Sequence, residues 1–259
     1  MKVLLLGHKG MLGHTVLKYL LKNKVSVETT NAKWPEDKFL SHISKSNADV
    51  AVNCIGAITQ KNYKEKDLYL INYFLPIYIR KHFKGKLIQP TSDCEFKGKN
   101  TITFDGYTKE CKRDAEDAYG KSKSYCSEFL LEQKNCHLIR TSIIGPELIG
   151  SDSLWEWFLS RKEQSITGYA NHFWNGITTL EWAKVCLDII KEREKNKFIQ
   201  LGTKPISKAT LLEKLNFNFN LKKHIDYKFS GDKVINKCLK SDYDLPNIDK
   251  QIEEFLNWQ

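Results

Sequence analysis

Residues 2–13 read KVLLLGHKGMLG, a short apolar run that leads directly into three glycines spaced three residues apart. A continuous apolar run of this kind is typical of a strand that is covered on both faces in a parallel sheet. Residues 11–21 then place Leu12, Val16 and Leu20 on one side of a helix. The stretch therefore predicts a strand, a glycine turn and an amphipathic helix, which is how a doubly wound α/β sheet begins.

The glycines of this turn are Gly7, Gly10 and Gly13. Glycines at this spacing let the backbone approach a pyrophosphate closely, and the N-terminus of the next helix, here Met11 and Leu12, points its free N–H groups at the phosphates. A strand–helix turn without a ligand is the alternative. The position of the motif, between a buried strand and an amphipathic helix, favours a dinucleotide site.

The residues after the second predicted strand, at 25–30, bear on the choice of dinucleotide. An NAD site needs an acidic residue at the end of this strand to hold the ribose 2′-hydroxyl. Here the strand runs into Asn31 and Lys33, and its one acid, Glu28, comes earlier. Asn31 is a candidate cofactor-binding residue at this place. Lys9, inside the glycine loop, could meet a 2′-phosphate. NADP(H) is therefore the preferred cofactor and NAD(H) is possible, unless both lysines merely face solvent.

Strands and helices continue to alternate along the chain. Further strands are predicted at 48–54, 86–89, 137–146 and 198–201, and helices at 68–83, 119–133 and 181–192. This alternation indicates a right-handed, doubly wound parallel sheet. A polar loop, residues 99–114, is expected to lie over the site. Six aromatic residues between 155 and 174 either form a packed cap or stack on a nucleotide base.

Tyr119 and Lys123 are four residues apart in a predicted helix, so they share one face. An ammonium beside a phenol favours the phenolate and lowers the pKa of the phenol. Such a pair can give a proton to a carbonyl oxygen or take one from an alcohol. Ser92 follows the predicted strand at 86–89, at the sheet edge where ligands bind in parallel α/β proteins. Its hydroxyl could bond a substrate oxygen there.

These motifs, in this order, resemble the extended short-chain dehydrogenase/reductase superfamily. Within it, residues 91–98 and 119–123 are similar to the dTDP-4-dehydrorhamnose reductase family, whereas the glycine loop is closer to that of GDP-L-fucose synthases. The resemblance covers residues 1–150 and thins beyond them. It implies that Ser92 holds the substrate oxygen, that Tyr119 donates a proton, and that Lys123 lowers the pKa of Tyr119 and binds the nicotinamide ribose.

Cys94 and Glu95 depart from the reductase pattern, which usually has tyrosine and valine after the aspartate. In GDP-L-fucose synthases a cysteine at the matching place is an acid/base that epimerises the sugar. Cys94 is therefore a candidate catalytic thiol, with a packed thiol as the alternative. The partner histidine of those enzymes has no clear counterpart, although His172 lies in the expected substrate loop.

The composition restricts the partners. The net charge is +10, but no Arg/Lys block with interleaved aromatics is present, so we expect no nucleic-acid partner, and an anionic nucleotide substrate fits the charge. Seven cysteines without a C-x-x-C pair suggest neither a zinc ribbon nor a disulfide framework, and we expect no metal. No apolar run has membrane-spanning length, and the N-terminal run is too short for a signal sequence, so we expect a cytoplasmic protein.

The sequence thus divides into a NAD(P)-binding Rossmann domain at 1–150 and a mainly substrate-binding or lid region at 151–259, with one or two elements returning to the sheet. The hypothesis is NADP(H)-dependent reduction of a 4-keto-6-deoxy nucleotide-sugar in bacterial polysaccharide precursor synthesis. One alternative is a nucleotide-sugar epimerase or epimerase-reductase that uses Cys94. Another is a non-catalytic NAD(P)-sensing protein on the same fold. A homodimer is a possible assembly, and the sugar, the nucleotide and the product stereochemistry stay open.

Overall fold

The computed structural model describes residues 1–258. The first part of the chain contains β1 (Lys2–Leu6), α1 (Met11–Lys22), β2 (Ser26–Thr29), α2 (Asp37–Lys45), β3 (Val50–Asn53), α3 (Glu65–Tyr69), a π-helical turn (Leu70–Phe74), α4 (Leu75–His82), β4 (Lys86–Thr91), α5 (Ala118–Glu132) and β5 (Cys136–Arg140). The second part contains β6 (Ile143–Ile144), α6 (Leu154–Ser160), β7 (Ser165–Tyr169), β8 (His172–Trp174), β9 (Ile177–Thr178), α7 (Thr179–Ile190), β10 (Phe198–Gln200), β11 (Ile206–Ser207), α8 (Lys208–Asn218), β12 (His224–Lys228), β13 (Ile235–Asn236) and α9 (Ile248–Trp258).

Six strands form one parallel sheet in the order β2-β1-β3-β4-β5-β10. The strand order reverses direction between β1 and β3, where Leu6 pairs with Asn53 at the carboxyl end. In open α/β sheets, a ligand binds outside the strand ends at such a reversal. The doubly wound α/β class predicted from the sequence is confirmed.

Helices cover both faces of this sheet. On one face, apolar side chains of α1 pack with those of α7, including Val16, Leu20 and Trp182. On the other face, Phe39 of α2, Ile79 of α4 and Leu130 of α5 are fully buried. The four residues of β3 are buried, which explains the continuous apolar pattern of this strand.

Several boundaries differ from the predictions. Helix α2 was not predicted; it has nine residues and buries two apolar side chains, Phe39 and Ile43, one turn apart. The helix predicted at 68–83 begins earlier, at Glu65, and contains the π-helical turn. The strand predicted at 137–146 ends at Arg140, and a separate short strand, β6, follows.

The residues after position 150 form a small second layer with its own core. Trp155, Phe158 and Trp174 are buried there together with apolar residues of α8 and α9. These three aromatic residues are therefore parts of a packed cap. β10, in contrast, leaves this layer and pairs with β5, with Phe198 opposite Leu138. Within residues 1–258, no helix is both long enough and apolar enough to cross a membrane.

Candidate active site

The glycine loop is shaped by steric limits that only glycine meets. Gly7 has a φ of +76°, and an added Cβ would lie 2.9 Å from the carbonyl carbon of Cys54. At Gly13 an added Cβ would lie 2.0 Å from the carbonyl oxygen of Gly7, so the helix packs directly on the turn. Gly10 is exposed and precedes α1, whose first N–H groups have no partner within the helix. The turn is therefore suited to a pyrophosphate at the helix N-terminus.

The residues near the end of β2 favour a ribose site without an acidic side chain. Glu28 lies in the strand, and its carboxylate forms an ion pair with Lys2 at 2.5 Å and accepts a hydrogen bond from Ser46. This carboxylate is thus already engaged. Lys9 and Asn31, the two residues predicted to contact the cofactor ribose, are both exposed.

The turn after β4 carries Ser92. The Ser92 hydroxyl accepts a hydrogen bond from the backbone N–H of Cys94 at 3.0 Å and donates one to Asp93 Oδ1 at 3.1 Å. The start of α5 packs against this turn, because an added Cβ at Gly120 would lie 2.2 Å from the carbonyl oxygen of Cys94. The glycine that follows Tyr119 thus lets α5 bring this tyrosine to the serine.

The structure brings Ser92, Cys94 and Tyr119 together. Ser92 acts on the Tyr119 phenol as a hydrogen-bonding group, and Cys94 lies close enough to interact with it electrostatically. Lys123 follows one helical turn later and is buried, with 7% of its surface exposed. Its ammonium faces the turn after β3, where an added Cβ at Gly56 would lie 3.7 Å from Nζ.

The same turn after β3 joins the glycine loop to the catalytic candidates. Gly7 packs against Cys54 and Ile55 of this turn, and Gly56 follows immediately. The predicted pyrophosphate site and the Lys123 ammonium are therefore separated by this single turn. A dinucleotide that lies across the end of β3 would reach from one to the other.

The pKa of Tyr119 does not shift in the expected direction. Burial raises this pKa, the neighbouring Cys94 raises it further, and the Ser92 hydroxyl acts in the opposite sense. Burial likewise lowers the pKa of Lys123, while Cys126 and Glu95 act to raise it. The prediction that the pKa of Tyr119 is lowered was therefore wrong for the protein alone, because it ignored burial. The phenol stays protonated at neutral pH, as a proton donor must.

Cys94 has a protonated thiol at neutral pH. Burial raises its pKa to about 12, Asp93 adds to the shift, and Lys237 and Ser92 oppose it. His172, the histidine considered as a partner, begins β8 and packs against Tyr169 with a ring-centroid distance of 4.9 Å. Burial lowers the pKa of His172, and the charge of Lys208 lowers it further.

Asn72 was not assigned a role from the sequence. It lies in the π-helical turn, a feature frequently found at functional sites. Its side chain accepts a hydrogen bond from the N–H of Ala57 at 3.0 Å and donates to the carbonyl of Ala57 at 2.9 Å and to Ser122 at 3.3 Å. Asn72 thus fixes the turn after β3 against α5. A single amide in an otherwise apolar stretch, LINYFL at 70–75, was the available signal.

Glu95, which stands where the reductases usually have valine, has a structural role. Its side chain is fully buried and accepts hydrogen bonds from Arg140 at 2.7 Å and Arg113 at 2.9 Å. It also accepts hydrogen bonds from Thr91 and from Ser127 of α5. One carboxylate therefore connects β4, β5 and α5 directly behind the turn that carries Ser92.

Comparison with solved structures shows which proteins share this architecture; no family model and no curated protein matches the chain. The dTDP-4-dehydrorhamnose reductase of Bacillus anthracis, solved with NADP, is 15% identical, with a TM-score of 0.85 over 100% of this chain and 99% of that one. The corresponding reductase of Clostridium acetobutylicum is 16% identical, with a TM-score of 0.82 over 100% and 99%. The UDP-glucose 4-epimerase of Thermotoga maritima, solved with UDP-glucose, is 15% identical, with a TM-score of 0.80 over 100% and 99%.

The chain therefore has the fold of the extended short-chain dehydrogenases/reductases. Within that class, its structural neighbours are dTDP-4-dehydrorhamnose reductases and related nucleotide-sugar epimerases and dehydratases. The fold implied by the sequence resemblance is confirmed.

Proposed function

We propose that this protein is an NADP(H)-dependent reductase of a keto group on a nucleotide-activated 4-keto-6-deoxy sugar, acting in bacterial polysaccharide precursor synthesis. The observation that carries the proposal is the meeting of Ser92 and Tyr119 at the end of β4, with Lys123 buried one helical turn away. The reductase of B. anthracis was solved with NADP and the epimerase of T. maritima with UDP-glucose, and both share the fold.

Each predicted contact to NADPH has a matching feature in this chain. Gly7, Gly10 and Gly13 admit the pyrophosphate, and the backbone of Met11 and Leu12 offers N–H groups to it. Lys9 and Asn31 would take the ribose 2′-phosphate, and Lys123 the nicotinamide ribose. When bound, NADPH supplies the hydride that adds to the keto carbon. The role of these residues is to hold the nicotinamide beside the end of β4.

Ser92 and Tyr119 would handle the keto oxygen. The Ser92 hydroxyl donates a hydrogen bond that holds this oxygen, exchanging its present acceptor, Asp93, for the substrate. Tyr119 then gives its proton to the same oxygen as negative charge develops there, and a hydroxyl group results. The raised pKa of Tyr119 keeps the proton in place until that charge appears.

The substitution Tyr119→Phe tests this function. General acid catalysis typically contributes about 10²–10⁴-fold, so we expect kcat to fall by at least about a hundredfold, with NADPH affinity nearly unchanged. The measurement is NADPH oxidation with a panel of 4-keto-6-deoxy nucleotide-sugars, alongside NADPH titration. Tyr125→Phe, on the exposed side of the same helix, is the matched control. A Tyr119→Phe variant with wild-type turnover would refute the mechanism.

Epimerisation by Cys94 is the second candidate, favoured by its position beside Tyr119. A pKa of about 12 leaves very little thiolate at neutral pH, which weakens this candidate. Solvent deuterium entering the carbon beside the keto group would support it, and its absence in the wild-type product would exclude it. If no keto-sugar nucleotide oxidises NADPH, the remaining alternative is a non-catalytic NAD(P)-sensing protein.

We also propose the cytoplasm as the compartment, because all seven cysteines are free thiols. The proposed division is a NAD(P)-binding domain at 1–150 and a substrate region at 151–259, in which β10 returns to the sheet. A homodimer is the proposed assembly, and light scattering at several protein concentrations tests it.

A further inference from the structure

The amino end of the large sheet carries an excess of positive charge. Because the six strands are parallel, the connections that lead from a helix into β2, β3, β4, β5 and β10 all lie at this end. Each carries at least one exposed lysine, in the connection itself or in the last turn of the preceding helix. These seven lysines, which we call the basic end, are Lys24, Lys45, Lys81, Lys84, Lys134, Lys191 and Lys195. Among residues 1–258, none of them forms an ion pair within 4.0 Å.

The acidic residues of the same connections and helix turns do not balance these lysines. Glu192 pairs with Lys86 at 3.5 Å, and Asp188 pairs with Arg193 at 2.6 Å, so two carboxylates are neutralised by cations outside the basic end. The acids there that form no ion pair within 4.0 Å among the described residues are Asp49, Glu132 and Glu194. The seven lysines therefore leave a net positive surface.

The long connection at the opposite, carboxyl end of the sheet has the reverse balance. Residues 93–117, which follow β4, contain seven Asp or Glu residues against five Lys or Arg residues. Ser92 and the glycine turn that begins at Gly7 lie at this carboxyl end. An anionic substrate in the candidate active site is thus a whole strand length away from the basic end. It gives no reason for the lysines there.

The basic end is one broad surface. Neighbouring strands lie about 4.8 Å apart, so the ends of the six strands extend over about 24 Å. The connections also contact one another. A ring nitrogen of His137, at the start of β5, lies 3.0 Å from the carbonyl oxygen of Asn196, before β10. Lys24 and Lys191, from the two edges of the chain fold around α1 and α7, line the same surface hollow of about 310 Å³.

We propose that the basic end binds the surface of an anionic lipid bilayer, with the candidate active site facing the aqueous phase. Clusters of four to eight basic residues are attracted to anionic headgroups, and each residue near the surface contributes about fivefold to binding. Two apolar side chains at the same end, Met1 and Leu21, are 59% and 55% exposed and can enter the headgroup region. This inference does not depend on the proposed function.

The same surface is poorly suited to a nucleic acid. Proteins that bind unpaired bases stack them on aromatic side chains, and Phe83, the aromatic residue of these connections, is only 2% exposed. Arginine is the preferred residue for bidentate recognition of phosphates. Arg193, the arginine of these connections, is already engaged by Asp188. Flexible, unpaired lysines spread over a broad end instead fit a surface that carries many diffuse negative charges.

Co-sedimentation with lipid vesicles tests the proposal without substrate or cofactor. The full chain is mixed with vesicles of phosphatidylcholine alone, or of phosphatidylcholine with about 30% phosphatidylglycerol as the anionic lipid. We expect binding to the anionic vesicles only. Binding should be at least about tenfold weaker in about 0.5 M NaCl than in about 50 mM NaCl, because salt screens the attraction between exposed charges.

Two multiple variants with the same total charge separate the basic end from charge in general. The first removes four lysines of the basic end: Lys81→Gln, Lys84→Gln, Lys134→Gln and Lys195→Gln. The control removes four exposed lysines from other parts of the surface: Lys64→Gln, Lys66→Gln, Lys121→Gln and Lys162→Gln. We expect the first variant to bind anionic vesicles at least about a hundredfold more weakly than the wild type, and the control to stay within about fivefold of it. Both should keep the wild-type Tm, since every substituted side chain is exposed.

Several outcomes would overturn the proposal. A wild type that stays in the supernatant with anionic vesicles at low salt would do so, and so would equal binding to vesicles of phosphatidylcholine alone. Equal losses in the two variants would show that only the total charge matters. A duplex oligonucleotide is titrated under the same conditions. If the wild type binds it more tightly than the vesicles, and the variant of the basic end does not, the surface belongs to a nucleic acid and not to a lipid bilayer.

Discussion

The carboxylate of Glu95 lies 2.7 Å from the guanidinium of Arg140, and neither side chain has exposed surface. Arg140 also donates to Gln200 at 2.9 Å and stacks between the rings of Phe96 and Phe198. The pair therefore connects strands β4, β5 and β10 at the end of the sheet that carries the candidate active site.

Glu95→Gln is expected to destabilise the protein strongly. Glutamine keeps the volume but leaves Arg140 as an uncompensated buried charge, and breaking a buried pair in this way costs about 3–5 kcal/mol. The free energy of unfolding, measured in urea, checks the expectation. Glu116→Gln removes an exposed ion pair with Lys97 at 3.5 Å and should cost no more than about 0.2–1 kcal/mol. Equal effects of the two substitutions would contradict the role given to Glu95.

Two glycines of the loop should respond differently to alanine. Gly13→Ala places a Cβ 2.0 Å from the carbonyl oxygen of Gly7, so we expect both the Tm and the NADPH affinity to fall. Gly10→Ala has a nearest contact of 3.4 Å, and its stability should stay close to that of the wild type. Its NADPH affinity should still fall about tenfold, because the methyl group would occupy the space proposed for the pyrophosphate. Normal NADPH binding by Gly10→Ala would place the cofactor elsewhere.

We expect Lys9 to determine the preference for NADPH over NADH. Removing a lysine–phosphate contact worth about 1.4 kcal/mol weakens binding about tenfold. We therefore expect Lys9→Ala to raise the KM for NADPH about tenfold and to leave the KM for NADH unchanged. Lys134→Ala, at an exposed lysine after α5, is the control. A parallel change in both KM values would show that Lys9 does not contact the 2′-phosphate.

Alkylation of Cys94 should be slow at neutral pH and accelerate up to about pH 12. Only the thiolate reacts, and burial raises the pKa of this thiol to about 12. Below that pKa, each fall of one pH unit lowers the thiolate fraction about tenfold, so at pH 8 the fraction is about 10⁻⁴. Iodoacetamide labelling followed by peptide mass spectrometry gives the rate, and Cys94→Ser identifies the peptide. Fast labelling of Cys94 at pH 7 would indicate an activated thiol and would favour the epimerase.

The sequence predicted those features that depend on local pattern. The buried strands, the glycine turn and the position of Ser92 at a strand end follow from runs of apolar residues and from the direction of parallel strands. The shift in the pKa of Tyr119 could not be predicted from its spacing to Lys123. That shift depends on burial and on Cys94, which lies 25 positions earlier in the chain.

The roles of other residues depend on distant partners. Glu95 looked like a departure from a family pattern until its partner Arg140, 45 positions later, was placed beside it. Asn72 contacts Ala57 and Ser122, which are 15 and 50 positions away. Lys208 comes within electrostatic range of Asp93 only through the packing of the second layer. No periodicity within a single element encodes such contacts.

The pairing of β10 with β5 has a consequence for cutting the chain. A fragment that ends at residue 150 would lack β10, so the N–H of Leu138, which now donates to Lys197, and the carbonyl of Arg140, which accepts from Leu201, would be exposed along an open edge. Such an edge pairs readily with other chains, and we expect the fragment to aggregate. Exchange of residues 151–259 between proteins of this fold would therefore have to keep a compatible sixth strand, or the N-terminal part of the sheet would be left with an open edge that aggregates.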